Sequence, residues 1–131
     1  MSRYDVIIIG AGPGGIFAAY ELAKKAPELK VAVFESGNSL EKRKCPIDGK
    51  KIKSCINCKT CAIMSGFGGA GAFSDGKYNI TNDFGGTLYE YIGKDTAIDL
   101  MKYVDEINLA YGGEGTKMYS TAGTDIKKLC I

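Results

Sequence analysis

An α/β fold built on parallel strands is what this chain predicts, and three observations carry the prediction. Residues 6–9 (Val-Ile-Ile-Ile) form a short, β-branched apolar run. The run ends abruptly in glycines at Gly10, Gly12 and Gly15, and a helical pattern begins at Gly14. A second run, Lys30 to Glu35, then closes on an acid about twenty residues beyond Gly15.

Each element has a local reason. A short apolar run without alternation reads as a strand buried on both faces. From Gly14 to Lys25 the pattern turns helical, with Ile16, Ala19, Tyr20 and Ala23 on one face and Lys24 and Lys25 in the last turn, where cations suit the helix dipole. Pro27 and Glu28 end that helix, and residues 30–35 form the second strand. Strand, glycine turn, helix, strand and acid in this order describe a dinucleotide-binding βαβ unit over residues 1–36. Gly10 allows a tight exit from the strand, and Gly12 allows backbone to approach a pyrophosphate. Gly15 lets the helix sit close to the strand, and Glu35 is placed to meet a ribose. The helix N-terminus adds unpaired N–H groups and a positive dipole end.

Residues 37–64 read as an insertion rich in cysteine and lysine, with Gly37, Pro46 and Gly49 as breakers. Most of its lysines are expected to be solvated. Arg43 and Lys44 follow the acid closely and are candidates to meet an adenylate phosphate. Residues 65–77 form a second glycine-rich loop, with five glycines in thirteen residues and two phenylalanines, Phe67 and Phe73. It is not a Gly/Ser repeat, so contact with a flat ligand or phosphate is the better reading than a flexible linker.

Residues 78–131 read as mostly helical. A short strand is expected over 78–81, a turn over 83–86 and one or two helical turns over 87–92. A clear helix is expected from Thr96, with Thr96 and Asp99 as a capping box. Its buried stripe would be Ala97, Met101, Val104, Ile107 and Tyr111, ended by Gly112 and Gly113. Another helix is expected to start near Asp125.

Composition excludes several classes. With 131 residues, one domain at most is expected, and 45% hydrophobic residues could supply a core. A net charge of +2 argues for neither nucleic acid nor membrane surface as a partner. No run reaches transmembrane length, and no signal peptide is expected, so a cytoplasmic location is expected. The chain holds no histidine, so it offers no imidazole base or ligand. With two firm strands and one weaker candidate, the α/β unit is incomplete, and the chain is expected to be the N-terminal part of a longer protein.

The segment Asp5 to Glu35, with Pro13 inside Gly-Ala-Gly-Pro-Gly-Gly, resembles the flavin-binding N-terminus of flavoproteins with two dinucleotide-binding domains. The loop Gly66 to Lys77 and the cysteine cluster resemble a narrower family, the FAD-dependent dehydrogenases of bacteria and archaea. The resemblance spans almost the whole chain but only about the N-terminal third of a typical member. It implies a single, partial, Rossmann-like FAD-binding domain over 1–131 in a flavin-dependent oxidoreductase. Gly10, Gly12, Pro13, Gly14 and Gly15 would then hold the pyrophosphate, with Glu35 and Ser36 at the adenosine. Gly68, Gly69, Ala70, Gly71 and Ser74 would approach the rest of the flavin, and the substrate would be a small molecule or redox protein. No residue is assigned to catalysis. Two other readings stay open: an NAD(P)-binding Rossmann module, in which Glu35 selects NAD, and a non-catalytic remnant. The second glycine loop has no place in the NAD(P) reading.

Cys45, Cys55, Cys58 and Cys61 fall within seventeen residues. Three readings compete. The C-x-x-C-x-x-C run with Cys45-Pro46 suits an iron–sulfur cluster. The same four thiolates could hold structural zinc. Reactive or unliganded thiols are the third reading. Cys130 stands apart and takes no role.

Overall fold

A computed structural model describes residues 3–83 and 85–118. The chain divides into two compact units, Met1–Gly76 and Lys77–Ile131.

In the first unit, β1 (Val6–Ile9) leads through the glycine turn into helix α1 (Pro13–Lys25), which returns to β2 (Val31–Phe34). The strands pair in parallel, Val6 with Val31 through Ile9 with Phe34. Further backbone bonds extend the ladder at both ends. The Asp5 amide donates to the Lys30 carbonyl, and the Gly10 amide to the Phe34 carbonyl at 2.7 Å. Pro13 takes the first helical position, where a missing N–H costs nothing. Lys24 and Lys25 occupy the last turn, and Lys25 pairs with Glu21 one turn earlier. The helix stops before Pro27 as expected, with the Ala26 amide bonded back to Leu22. Along α1, Ile16, Ala19 and Tyr20 are half-buried, but Ala23 is exposed.

One expectation is corrected here. β1 is not covered on both faces, because its residues alternate between half-buried and exposed. The register puts Ile7 and Ile9 on the same face as Ala32 and Phe34. α1 lies over the opposite face, where its Gly15 backs onto Ile8. The face away from α1 therefore stays open, and Ile9 is 89% exposed. The expected core is correspondingly small. Among the described residues only Ala11, Arg43, Gly66 and Ala97 are buried.

In the second unit, residues 78–81 pair with no strand, which corrects the strand expected there. Among the described residues the sole ladder joins β1 and β2, and an extended segment without a partner gains no ladder bonds. The turn expected over 83–86 includes residue 84, outside the described residues. Helix α2 (Leu88–Ile92) is followed by α3 (Lys94–Asn108). α3 starts two residues before the expected capping box. Gly93 ends α2 and caps α3 at once, so Thr96 lies inside the helix. The Asn82 side-chain amide donates to the Lys94 carbonyl at 3.1 Å. Of the expected stripe, Ala97 is fully buried and Met101, Val104 and Ile107 are half-buried. Tyr111 is exposed instead, because α3 widens into a π-type turn over Leu109–Gly113 whose backbone leaves helical angles at Tyr111 and Gly112. Burial, with the Asp105 carboxylate near it, raises the Tyr78 phenol above its ordinary pKa. The helix expected near Asp125 and Cys130 itself lie outside the described residues. Among the described residues no helix is long and apolar enough to cross a membrane.

Candidate functional site

The glycine turn between β1 and α1 sets the geometry. Gly10 has φ +97°, a conformation that residues with a Cβ rarely adopt. Gly12 caps α1 in extended conformation, and no side chain bonds to the helix start. A Cβ placed on Gly10, Gly12 or Gly14 would meet nothing within 4 Å. One on Gly15 would lie 1.9 Å from the Gly10 carbonyl oxygen. The glycines thus divide into two kinds. Gly15 is required by the protein's own helix–strand contact, as expected, while Gly12 and Gly14 face open space at the helix N-terminus.

Glu35, directly after β2, reaches back to this turn. Its carboxylate accepts the Ala11 amide at 2.7 Å through Oε2 and the Gly37 amide at 2.8 Å through Oε1. Chiefly the Ala11 amide, then that of Gly37, lowers its pKa below the ordinary value, with a smaller contribution from the Arg43 charge. The carboxylate therefore remains ionised at neutral pH. Its contribution to stability is present above about pH 4.5 and is lost as pH falls through the lowered value. A carboxylate has about four acceptor positions, so two amides leave room for two hydroxyl donors. Beside it lies a cavity of about 360 Å³, lined by Phe67, Leu40, Glu35 and Glu41 among others.

The second glycine loop joins the first. The Gly68 amide donates to the Ala11 carbonyl at 2.8 Å. Gly69, at φ +57°, is so close that a Cβ there would stand 3.2 Å from Gly12 Cα and Pro13 Cδ. Gly71 lies against Pro13, and residues Ala70–Phe73 close in a 3-10 turn. Ser74 accepts the Gly76 amide at 3.2 Å. Two loops more than fifty residues apart therefore form one backbone surface at the start of α1.

Arg43 takes a different place from the phosphate-side one expected. It is 4% exposed. Its Nε donates to the Ala62 carbonyl, Nη2 to Ile63, and Nη1 to both Phe67 and Gly69, all at 2.6–2.8 Å. The guanidinium also stacks on Phe73, 4.8 Å from the ring centre. Four of its five donors therefore hold main chain, and the residue fixes the second loop from behind. Lys44 and Ser36 are exposed at the surface. Sequence reasoning missed Gly37 and Gly66. A Cβ on Gly37 would stand 2.5 Å from Gly66, and one on Gly66 would meet Arg43 Cδ at 2.6 Å. No local pattern marks that contact.

The four clustered cysteines are free thiols that line a different cavity, of about 320 Å³. The arrangement expected for a single ion is not formed. Among the described residues no three cysteine or carboxylate side chains stand close enough together to hold one.

Comparison with known proteins adds a family signal at the N-terminus. Residues 1–41 match the model of the Thi4 family. The chain is 61% identical over 33 residues to thiamine thiazole synthase of Yarrowia lipolytica, a match covering 25% of this chain and 10% of that enzyme. The thiamine thiazole synthase of Phaeosphaeria nodorum matches to the same extent. A longer match joins the chain to an uncharacterised protein of Clostridium beijerinckii, 39% identical over 71 residues, or 54% of this chain and 13% of the relative. The matched parts span only about a tenth of the length of these relatives. No solved structure matches.

Proposed function

We propose that the first unit is the adenine-dinucleotide end of an FAD site in a Rossmann-like domain, within a flavin-dependent oxidoreductase. The observation that carries this reading is the meeting of the two glycine loops at Gly12, Pro13 and Gly69, with Glu35 bonded to the same turn. The pyrophosphate would lie over the turn from Gly12 to Gly15, where Gly12 and Gly14 face open space at the helix N-terminus. The adenosine would enter the cavity at Glu35, its ribose hydroxyls donating to the carboxylate and its base against Phe67 and Leu40. Two acidic residues line that cavity, Glu35 and Glu41, and their charges disfavour the ribose phosphate of NADP. The second loop favours FAD over NAD, since an NAD module has no use for it.

When bound, the flavin supplies the redox chemistry. This chain's residues bind it, orient it and keep an ionised acceptor at Glu35. The match to the Thi4 family lies over the part that carries the first glycine turn and Glu35, so it supports a dinucleotide site there, of flavin or nicotinamide type. The thiazole-forming activity named for those relatives is not carried over. The substrate is a small molecule or redox protein, and we place the protein in the cytoplasm.

Heat denaturation of the purified protein tests the reading. A yellow supernatant with a flavin spectrum is expected. Glu35→Gln removes the charge and turns an N–H toward an amide already donating there, so FAD affinity should drop about tenfold to a hundredfold. A colourless protein that binds NAD and no flavin would overturn the assignment.

A further inference from the structure

Residues 44–61 form a long segment without helix or strand. From 44 to 60 every residue except Ile52 is exposed, so no apolar core orders it. Loops of this length without structure of their own are uncommon in compact units and are usually functional or held by a staple. Two features shape this one. Asp48 Oδ1 accepts the amides of Lys50, Lys51 and Ile52, which closes a tight local turn. Arg43, bonded to the carbonyls of Ala62 and Ile63, pins both ends of the segment together. The result is that Cys45, Cys55, Cys58 and Cys61, from both arms of the loop, open on one cavity.

We propose that this cavity is the seat of an iron–sulfur cluster of the four-iron, four-sulfide kind, ligated by Cys45, Cys55, Cys58 and Cys61. Four free thiols share the cavity, which is the ligand number such a cluster needs. At about 320 Å³ it has room for more than a single ion, and among the described residues no three of these side chains are gathered as a single ion would need. Zinc, which draws its four ligands to about 2.3 Å, suits this spread less well. Ile47 and Ile56 make apolar walls, and a low-dielectric surround is one of the levers on cluster potential. The Asn57 amide donates to Cys55 Sγ at 3.4 Å. Asn57 is the one described non-glycine residue in the left-handed region, at φ 52°, so the backbone takes a disfavoured conformation where its N–H meets that sulfur. Amide donors to sulfur are a further lever on cluster potential. Ligation releases one proton from each of the four thiols, leaving a cluster site of net negative charge. Lys44, Lys50, Lys51, Lys53 and Lys59 in the same segment offset that charge. The proposal does not rest on the flavin reading.

Anaerobic reconstitution of the full chain with equal ferrous and ferric iron and sulfide, which together match the cluster's two-ferrous, two-ferric state, tests it. The expected result is about four iron and four sulfide per chain, with a brown absorption that dithionite bleaches. Four of the five thiols should then resist alkylation, and Cys130→Ala should bind the full complement. Cys58→Ser should lose the four-iron cluster. Far-UV circular dichroism of that variant, with helical signal retained, separates lost ligation from lost folding. Tight zinc without iron would overturn the proposal, as would disulfides among these cysteines. Iron retained in full by the double variant Cys55→Ser/Cys58→Ser would overturn it as well.

Discussion

Gly15→Ala is expected to destabilise the first unit sharply, whereas Gly12→Ala is expected to leave its stability unchanged and abolish dinucleotide binding. The two glycines are three residues apart in one motif, yet their surroundings differ in kind. The new methyl at position 15 would stand 1.9 Å from the Gly10 carbonyl oxygen and 3.3 Å from Ile8 Cγ2. A backbone oxygen cannot rotate aside, so α1 must lift off β1. Overpacking of this kind costs about 3 kcal/mol, the upper end of its usual range. That is a large share of the ~5–15 kcal/mol that holds an ordinary domain together. At position 12 the methyl meets nothing but occupies the space over the helix start. Thermal unfolding and FAD titration of both variants should give opposite results. Gly15→Ala lowers the melting temperature sharply, and Gly12→Ala changes affinity alone.

Arg43→Lys carries the second large effect. Four main-chain carbonyls depend on this one buried guanidinium. Lysine keeps the charge but offers three donors from a single point, so it cannot reach carbonyls at 62, 63, 67 and 69 together. Carbonyls left unpaired and a buried ammonium that cannot satisfy them together should cost about 3–5 kcal/mol. The damage should be local. Protease cleavage within residues 62–73 should rise before global unfolding, and FAD affinity should fall because the second loop leaves Gly12 and Pro13. An unchanged cleavage pattern would show that Arg43 does not hold this loop.

What the sequence made legible follows from the range of the forces involved. β1, α1 and β2 are fixed by neighbours in the chain: a β-branched run, a glycine turn, Pro13 at the first helical position and Pro27 after the last. β1 has the expected bounds, α1 differs from them by one residue at its start, and β2 by one residue at each end. Glu35 was legible as an acid at the right distance. That it is tied to Ala11 was not, because nothing local records a contact across twenty-four residues. Arg43 shows the limit most clearly. As a cation after an acid it read as a phosphate ligand, yet folding brings four carbonyls to it from as far as twenty-six residues away. Gly37 read as a breaker and Gly66 as part of the second glycine loop, and their mutual approach depends on the same tertiary contact. The capping box at Thr96 failed for a different reason. Gly93 supplies the turn between α2 and α3, so the helix begins before the side chains that could have capped it. β1 was expected to be covered on both faces from its composition, but coverage depends on what lies above the sheet, and α1 covers one face only.

The central claim is that the two glycine loops and Glu35 act as one dinucleotide site. Amide hydrogen exchange of the protein with and without FAD tests it directly. Protection on binding should appear together at residues 10–16, 35–41 and 66–71, and it should disappear together in Gly12→Ala. Protection confined to the first glycine turn, with residues 66–71 exchanging as in the free protein, would contradict it.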